Sequence, residues 1–515
     1  MKYILLTTLS LGFALSAYAQ TATYNEDVSC ILYEHCTTCH HSGGIAPFGL
    51  MDYQEASAAA YGVMQAVNAG TMPPWPPNSD YRQLAHERLL TQNEIDLIND
   101  WVNTGTPEGP GTPPQPPVYL SDEAITNPDL VLTMDQYTVN TIGNDVYRCF
   151  VIPTGLTEDV FITEIEIVPG NREAVHHVLL FQDETDVPQQ LDDQDQLPGY
   201  TSFGGTGSSA SKLIGGWVPG QGHKVYPSGM GVKVPAGADI VMQVHYPATA
   251  NGQQDQSKVN IKYTTGFVRE VVIDAPLNHF TLNEGQLIIP ANTESTFTCD
   301  YQMPAQYDIT VLDVSPHMHL LGKSITAWAE TPTNQIIPLI EIEDWDFHWQ
   351  GFYDFPNPIK LPAGSTIHCT ATYDNTSNNP DNPNSPPQLV TAGEATDEEM
   401  MLIFFSFTLY FNGDENIVID PLDVHEDHVC NPAIVGISER DDADFALSPN
   451  PSSDILNIRS NETWQQIQIH DMTGKLIHSS SYQPSISIQD FPDGIYSISL
   501  LSEAHAISKR FVVKH

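Results

Sequence analysis

Short runs in which apolar and polar residues alternate recur through the middle of the chain, between clusters of Gly, Pro, Asn and Asp. Clear examples are residues 160–168, 240–244 and 259–263. Alternation with a period of two is typical of strands with one buried face, and closely spaced turn residues indicate antiparallel sheets. We therefore predict a mainly β fold with two sandwich domains, residues 120–275 and residues 276–436.

The chain before this region has the periodicity of helices. Thr91 followed by Glu94 is the signature of a capping box. One apolar helical face then follows, made of Leu97, Ile98, Trp101 and Val102. We predict a small all-α domain over residues 20–106. The Pro-rich residues 107–119 predict an extended, semi-rigid linker to the β region.

Alternating runs return after residue 443, separated by Gly turns, and predict a small β-sandwich over residues 443–515. This region begins with Leu447-Ser448-Pro449-Asn450-Pro451. It resembles the C-terminal sorting domain of type IX secretion. That resemblance implies a partnership with the type IX secretion machinery and export across an outer membrane. The alternative is an ordinary accessory β domain.

The N-terminus and the net charge point to an exported protein. Residues 1–19 combine a basic start, a short apolar run and small residues before Gln20, as in a cleaved signal peptide. No later apolar run is long enough to span a bilayer. The 64 acidic and 19 basic residues give a net charge of −45, which disfavours binding to nucleic acid or anionic membranes. We expect a secreted or cell-surface protein that passes through the periplasm.

The predicted helical domain contains the motif Cys36-Thr37-Thr38-Cys39-His40. Two thiols one helical turn apart can bond covalently to the vinyl groups of haem, and the following His can then bind the iron. A redox pair of cysteines and half of a zinc site are the alternatives. No second Cys/His pair for zinc is evident, and export suits haem attachment outside the cytoplasm.

A methionine sulfur is the expected sixth ligand of that haem. Met72 lies in a Pro-rich loop that could hold its thioether in place, while Met51 and Met64 are competitors. Met64 has the position of a helix core residue. With the motif near its start and a closing helix that carries Trp101, the domain resembles a class I-like cytochrome c. Cys30 has no assigned role.

Three histidine motifs lie in the β region. His317 and His319 follow a strand-like run and, in an extended backbone, point to the same face. His176 and His177 are adjacent, so both can meet one metal only if the backbone is irregular there. His245 ends an alternating run. Taken alone, each motif is also consistent with ordinary core or surface histidines, whereas convergent neutral imidazoles suit a transition metal.

The order of these motifs, His-His, His-Tyr and His-x-His-x-x-Gly, resembles the copper type II, ascorbate-dependent monooxygenases. Residues 145–148 and 215–220 also match segments of that family. The resemblance covers about residues 130–430. It implies two jelly-roll-like sandwiches with one copper ion each, so the expected cofactors are two copper ions and one covalent haem c.

The resemblance also implies the copper ligands. The first copper ion would bind His176, His177 and His245, and the second would bind His317, His319 and a methionine. Met400 matches the family's ligand and is the predicted one, although Met401 stands where the family has a cysteine and is the alternative. Neighbours on a strand face opposite ways, so only one of the two can face the site. Packing roles for both remain an alternative.

The resemblance further implies a disulfide between Cys299 and Cys430. Cys369 matches another half-cystine whose family partner is replaced by Met401. Cys149 matches a cysteine without an identified partner, and a bond between Cys149 and Cys369 is numerically open. Sequence does not establish this connectivity.

The implied function is a secreted copper monooxygenase that hydroxylates a C–H bond. The second copper site, which contains a soft thioether, would react with dioxygen, and the first would supply an electron. The haem of the fused domain is expected to deliver electrons, in place of or besides an external donor. The substrate, a small molecule or a peptide, is not specified. The alternatives are a non-enzymatic electron-transfer or copper-binding protein and a binding protein with vestigial sites.

Overall fold

The computed structural model describes most of the chain, with gaps in its C-terminal part. The described residues are 21–117, 123–141, 145–219, 221–393, 395–419, 445–448, 452–460, 464–471, 475–489, 491–492, 494–501 and 506–514. The predicted signal peptide and Cys430 lie outside this range. The chain divides into two compact units between residues 427 and 428.

A small helical domain begins the described chain. Its helices are α1 (Ser29–His35), α2 (Tyr53–Asn68) and α3 (Gln92–Asn103), preceded by one wide helical turn, Tyr24–Val28. The predicted capping box starts α3, because the Thr91 hydroxyl accepts from the Glu94 N–H and the Glu94 carboxylate accepts from the Thr91 N–H. Trp101, on the buried face of α3, donates through its indole N–H to the Pro107 carbonyl, 3.1 Å away. The start of the predicted linker therefore packs against the helices.

The first β-sandwich has two main sheets around one core. In chain order its strands are β1 (Leu130–Thr133), β2 (Tyr137–Thr138), β3 (Val146–Pro153), β4 (Val160–Val168), β5 (His177–Asp183), β6 (Tyr200–Thr201), β7 (Lys212–Trp217), β8 (Lys224–Val225), β9 (Met230–Val234), β10 (Asp239–Tyr246), β11 (Gln254–Asp255), β12 (Lys258–Thr264) and β13 (Arg269–Glu270), with a short helix α4 (Val187–Asp192) after β5. One sheet has the order β1-β12-β4-β9-β13, with β8 beside β4, and the other has the order β6-β3-β10-β5-β7. Both sheets contribute apolar residues to one shared core.

The second β-sandwich has the same general plan. Its strands are β14 (Val272–Asn278), β15 (Ile288–Ile289), β16 (Thr293–Gln302), β17 (Ile309–His317), β18 (Gly322–Glu330), β19 (Ile336–Ile342), β20 (Tyr353–Leu361), β21 (Thr366–Asn375), β22 (Val390–Thr391) and β23 (Leu402–Leu409). The two main sheets are β14-β23-β17-β20 and β16-β21-β18-β19. Buried and half-buried residues alternate along all of β21, as the sequence pattern requires for a strand with one face in the core.

Buried charges join the two sandwiches. The Lys224 ammonium of the first sandwich bonds to the carboxylates of Asp313 (2.7 Å) and Asp354 in the second. The Arg269 guanidinium, at the end of the first sandwich, forms a two-pronged ion pair with Asp414, at 2.6 and 2.8 Å. Leaving one member of such a pair without its partner inside a protein is costly, so these contacts fix how the sandwiches meet.

Close backbone packing completes this interface. A side chain at Gly216 would meet the Phe352 ring at 2.9 Å, so the ring packs directly on the backbone of β7. Leu312, on β17 of the second sandwich, belongs to the core of the first. Both contacts show that residues of the two sandwiches pack directly against one another.

The helical domain is attached to the second sandwich through residues 75–88. Leu84 is fully buried in the core of that sandwich, and the Trp75 ring makes an edge contact with Tyr353, 5.4 Å between centroids. The Asn78 N–H donates to the Glu341 carbonyl at 2.8 Å. The chain that follows Met72 is thus docked rather than free.

The C-terminal unit is a small β-sandwich. Its strands are β24 (Phe445–Ser448), β25 (Ile455–Ser460), β26 (Gln466–Asp471), β27 (Leu476–Ser481), β28 (Ser485–Ser487), β29 (Gly494–Leu501) and β30 (Ala506–Val513). They form sheets with the orders β24-β25-β28 and β27-β26-β29-β30.

The prediction of a mainly β fold is confirmed. Among the described residues, no helix combines the length and the apolar character needed to cross a membrane.

Replacing Lys224 tests the interface between the sandwiches. Lys224→Met leaves Asp313 and Asp354 without their cation, so we expect the free energy of unfolding, measured by urea titration, to fall by about 3–5 kcal/mol. Lys233→Met is the control because its partner, Asp159, lies on the surface, and it should change stability little. Equal effects of the two variants would contradict a structural role for Lys224.

Candidate metal centres

Three histidines of the first sandwich converge where β5 begins and the paired strand β10 ends. The Nδ1 atoms of His176 and His177 are 3.2 Å apart, and Nδ1 of His245 lies 3.2 and 3.3 Å from them. Metal–nitrogen bonds of about 2.0–2.1 Å at tetrahedral angles place ligand nitrogens about 3.3 Å apart. The three Nδ1 atoms therefore have the spacing of ligands to one ion.

The backbone explains how two adjacent histidines reach one point. His177 is the first residue of β5 and lies opposite His245 in the register of β10. His176 precedes the strand, and its N–H donates to the His245 carbonyl at 2.9 Å. Because His176 lies outside the regular strand, its side chain is not forced to the opposite face. Two adjacent histidines can meet one metal only if the backbone is irregular, and the position of His176 before the strand provides that irregularity.

Asp145 and Tyr147 orient His245, the first at its outer nitrogen and the second on the face of its ring. The Asp145 carboxylate lies 2.9 Å from Nε2 of His245 and also accepts the Ala248 N–H at 2.9 Å. The Tyr147 ring stacks on the His245 ring, with centroids 4.3 Å apart. A carboxylate on the outer nitrogen fixes the tautomer, so Nδ1 of His245 keeps its lone pair for a metal.

The second histidine pair lies where β17 ends. His317 is the last residue of the strand and His319 follows in the turn, with ring centroids 5.1 Å apart. Nδ1 of His317 is 2.5 Å from the Gln350 side-chain oxygen, and Nδ1 of His319 is 3.1 Å from the Glu398 carbonyl. Because both Nδ1 atoms donate to oxygen, the Nε2 atoms hold the lone pairs that could bind a metal.

The structure separates the two methionines near this pair. Met400 lines the same cavity as His317 and His319. Met401 is fully buried in the core of the second sandwich. Only Met400 therefore has its thioether in the cavity beside the histidines. That these five histidines and Met400 bind copper remains a proposal.

Glu399 holds the backbone beside the second site. Its buried carboxylate accepts the N–H groups of His319 (3.0 Å), Leu321 (2.6 Å) and Met400 (3.2 Å). Burial raises the pKa of Glu399 to about 8, although the three N–H donors act in the opposite direction. One side chain thus holds the backbone of two candidate ligands.

Both sites face one cavity of about 290 Å³ between the sandwiches. The Phe347 ring lies between them, with its centroid 5.8 Å from that of His176 and 6.0 Å from that of His319. Burial is the main cause that lowers the pKa of His176 and His317 to about 3 and of His319 to about 4. These imidazoles are therefore neutral at physiological pH, as metal ligation requires.

The motif Cys36-Thr37-Thr38-Cys39-His40 forms a single turn of backbone. The His40 N–H donates to the Cys36 carbonyl at 2.9 Å, so Cys36 and Cys39 are separated by one helical turn. Nδ1 of His40 lies 3.1 Å from the Phe48 carbonyl, which leaves Nε2 as the ligand atom. These residues fit a covalently bound haem. Met72 is 36% exposed, whereas Met64 packs in the helical core as expected.

The described cysteines contain no disulfide. Cys299 lies directly opposite Cys369 in the pairing of β16 with β21, while the predicted partner Cys430 is outside the described residues. The open pairing of Cys149 with Cys369 is wrong, because the two thiols are buried in the cores of different sandwiches. Cys30 is buried in α1.

Several supporting residues were not singled out from the sequence. Asp145 lay in a segment noted for its family resemblance, and Glu399 is adjacent to Met400, so position alone hinted at them. Gln350 and Phe347 gave no signal, because they become neighbours of the histidines only through the fold. His348 also lines the cavity.

Comparison with known proteins identifies two regions of the chain. Residues 277–426 match the copper type II ascorbate-dependent monooxygenase, C-terminal domain, and residues 446–514 match the secretion system C-terminal sorting domain. The resemblance to the copper type II monooxygenases is thereby confirmed. The sorting domain indicates export through type IX secretion to the cell surface or beyond, as predicted.

Two curated relatives are similar over part of the chain. One is a tyramine beta-hydroxylase of Caenorhabditis briggsae, 24% identical over 223 residues, which are 40% of this chain and 36% of the relative. The other is DBH-like monooxygenase protein 2 of Mus musculus, 22% identical over 283 residues, 51% of this chain and 43% of the relative. The chain thus spans less than half the length of either.

Solved structures give only weak similarity. A recombinant N-glycanase F matches with a TM-score of 0.22 and 9% identity, over 55% of this chain and 96% of that one. Similarity at this level has no bearing on the fold or the function.

Asp145→Asn tests the support of the trihistidine site. The amide removes the negative charge that orients His245, so we expect copper affinity at this site to fall about 10–100-fold. Titration against a competing chelator measures it, and the second site should keep its affinity. Asp308→Asn, which alters a surface ion pair with Lys360, is the control. Unchanged affinity in Asp145→Asn would contradict the assigned role.

Glu399→Ala tests the support of the second site. The change leaves three buried N–H groups without an acceptor, each costing on the order of 1–3 kcal/mol. We expect bound copper to fall toward one ion per chain, with the trihistidine site retained. Glu398→Ala is the matched control, because the Glu398 contact with His319 uses the backbone carbonyl. Equal copper content in both variants would refute this role.

Proposed function

We propose that this chain is a copper-dependent monooxygenase that inserts one atom of dioxygen into a C–H bond of a substrate. The observation that supports it best is the pair of unlike sites on one cavity, one with three imidazoles and one with two imidazoles and a thioether. Copper at the two sites would supply electrons and the activation of dioxygen. The match to the monooxygenase domain supports the same chemistry.

The two ligand sets differ in the copper chemistry that they would support. His176, His177 and His245 offer only nitrogen ligands, which suit both oxidation states of copper. The Met400 thioether is a soft ligand, which favours Cu(I), the state that reacts with dioxygen. The cavity between the sites holds the substrate in contact with both ligand sets and limits the access of water.

We further propose that the N-terminal domain carries a covalent haem and delivers electrons to the trihistidine site. Haem bound through Cys36, Cys39 and His40 would supply a one-electron carrier. Burial raises the pKa of the Cys39 thiol, while Arg172, four residues before His176, is near enough for its charge to act in the opposite direction. The docked residues 75–88 keep the helical domain against the second sandwich. Both observations support the proposal of a route from this motif to the trihistidine site.

Oxidation of the reduced haem tests this electron route. Full-length protein, reduced with dithionite without dioxygen, is mixed with dioxygen while the haem absorbance is followed. We expect copper-loaded protein to reoxidise its haem faster than copper-depleted protein. His245→Ala should react like the depleted sample because it lacks one of the three ligands.

His368→Ala is the control for that experiment, because His368 pairs with Asp300 outside both sites. Equal reoxidation rates in all samples would refute the route from haem to copper. The monooxygenase assignment would then rest on substrate-dependent dioxygen uptake with another reductant. If no uptake depended on substrate, a non-enzymatic electron-transfer or copper-binding protein would be favoured instead.

A further inference from the structure

The cavity between the two histidine sets carries almost no charge. None of its described lining residues is Asp, Glu, Lys or Arg. Apart from the candidate ligands, its walls are mainly aliphatic and aromatic, including Leu179, Leu213, Trp217, Phe352, Leu402 and Phe404. The whole chain has a net charge of −45, so a cavity lined by uncharged residues differs from the rest of the protein.

Among the described lining residues, His348 at the rim forms an ion pair. Its side chain is 60% exposed, and Nδ1 lies 3.2 Å from the Asp346 carboxylate. This carboxylate raises the pKa of His348. When His348 is protonated, its charge is balanced by Asp346, so the pair offers no unpaired charge to a bound molecule.

The amide groups of the cavity are already engaged. The Gln243 side-chain nitrogen donates to the carbonyls of Ser202 (3.1 Å) and Gly205 (2.7 Å). The Gln350 amide bonds through its oxygen to His317 and through its nitrogen to the Phe347 carbonyl. The amide groups of these two side chains are occupied by hydrogen bonds within the protein. They therefore offer few hydrogen bonds to a bound molecule.

A charged group placed inside this cavity would lose its hydration without gaining a counter-ion from the described lining residues. Burying an unpaired ammonium or carboxylate is strongly unfavourable. The aromatic rings attract a cation, but this attraction is weaker than the lost hydration. Positive copper ions at both sites would disfavour a cation further. An anion would find copper itself as its only partner.

Resting on the proposed function, we propose that the substrate is an uncharged, largely apolar small molecule, and that amines are excluded. The cavity volume of about 290 Å³ is at the lower end of the range for small-molecule sites, roughly 300–1,000 Å³. The molecule lies against the aliphatic and aromatic wall, and its reacting carbon faces the space between the histidine sets.

Three probes of similar size and different charge test this assignment. Isothermal titration calorimetry without dioxygen measures the binding of 2-phenylethanol, 2-phenylethylamine and phenylacetate to full-length protein, metal-free and loaded with Cu(I). We expect the neutral alcohol to bind both forms at least about tenfold more tightly than the amine. Phenylacetate should bind only the copper-loaded form.

A carboxylate placed in the wall should change this selectivity. Leu213 lines the cavity and is half-buried, so Leu213→Asp is expected to raise amine affinity about tenfold and to weaken alcohol binding. Leu389→Asp, at an exposed leucine outside the lining, is the matched control. If Leu213→Asp fails to fold, the three probes on the unmodified protein still decide the question.

Two results would overturn the assignment. One is amine binding as tight as or tighter than alcohol binding in the unmodified protein, and the other is the absence of alcohol binding. Neither measurement depends on turnover. A protein that binds the alcohol but never consumes dioxygen would therefore contradict the proposed monooxygenase function and leave the assigned substrate class intact.

Discussion

The contact between the two β-sandwiches is the constraint on which the candidate site depends. Each histidine set belongs to one sandwich, and the cavity that they share is lined by residues of both. The sandwiches are held together by Lys224 between Asp313 and Asp354 and by Arg269 on Asp414. Asp313 lies on β17, four residues before His317, so the ion pair also fixes the strand that carries the second site. A buried charge cluster thereby determines the space between the two sites.

Within that frame, the two sites use the imidazole ring in opposite ways. In the first, Nδ1 atoms converge and a carboxylate holds the outer nitrogen of His245. In the second, Nδ1 atoms of His317 and His319 donate to oxygens, so Nε2 is free for a ligand role. Different supporting residues thus produce two unlike candidate ligand sets from the same side chain. The thioether of Met400 adds to that difference, which suits a division between electron supply and dioxygen chemistry.

The sequence predicted the mainly β fold, because the alternation of buried residues along strands such as β21 is a local property. It also predicted that His176 and His177 can meet one metal only with an irregular backbone, and the structure places His176 just before β5. It favoured Met400 over Met401 only through the family resemblance, since a one-residue shift of a strand exchanges their faces. The burial of Met401 in the core separates them.

Other features could not be read from the chain. Gln350, Phe347 and Lys224 acquire their roles through contacts between segments far apart in sequence, and no local pattern encodes such contacts. The pairing of Cys149 with Cys369 looked open only because spacing carries no information about which core a thiol occupies. The docking of residues 75–88 on the second sandwich was likewise not predicted, since a Pro-rich loop gives no sign of its partner surface.

The most direct test of the account is the number of copper and haem iron atoms per chain. The measurement uses protein exported with haem-maturation factors and supplied with copper, together with His317→Ala. The account predicts two copper ions and one haem for the unmodified protein, and firm binding of one copper ion in the variant. A chain that binds haem but no copper would contradict the monooxygenase assignment. It would leave a secreted cytochrome joined to two sandwiches with another role.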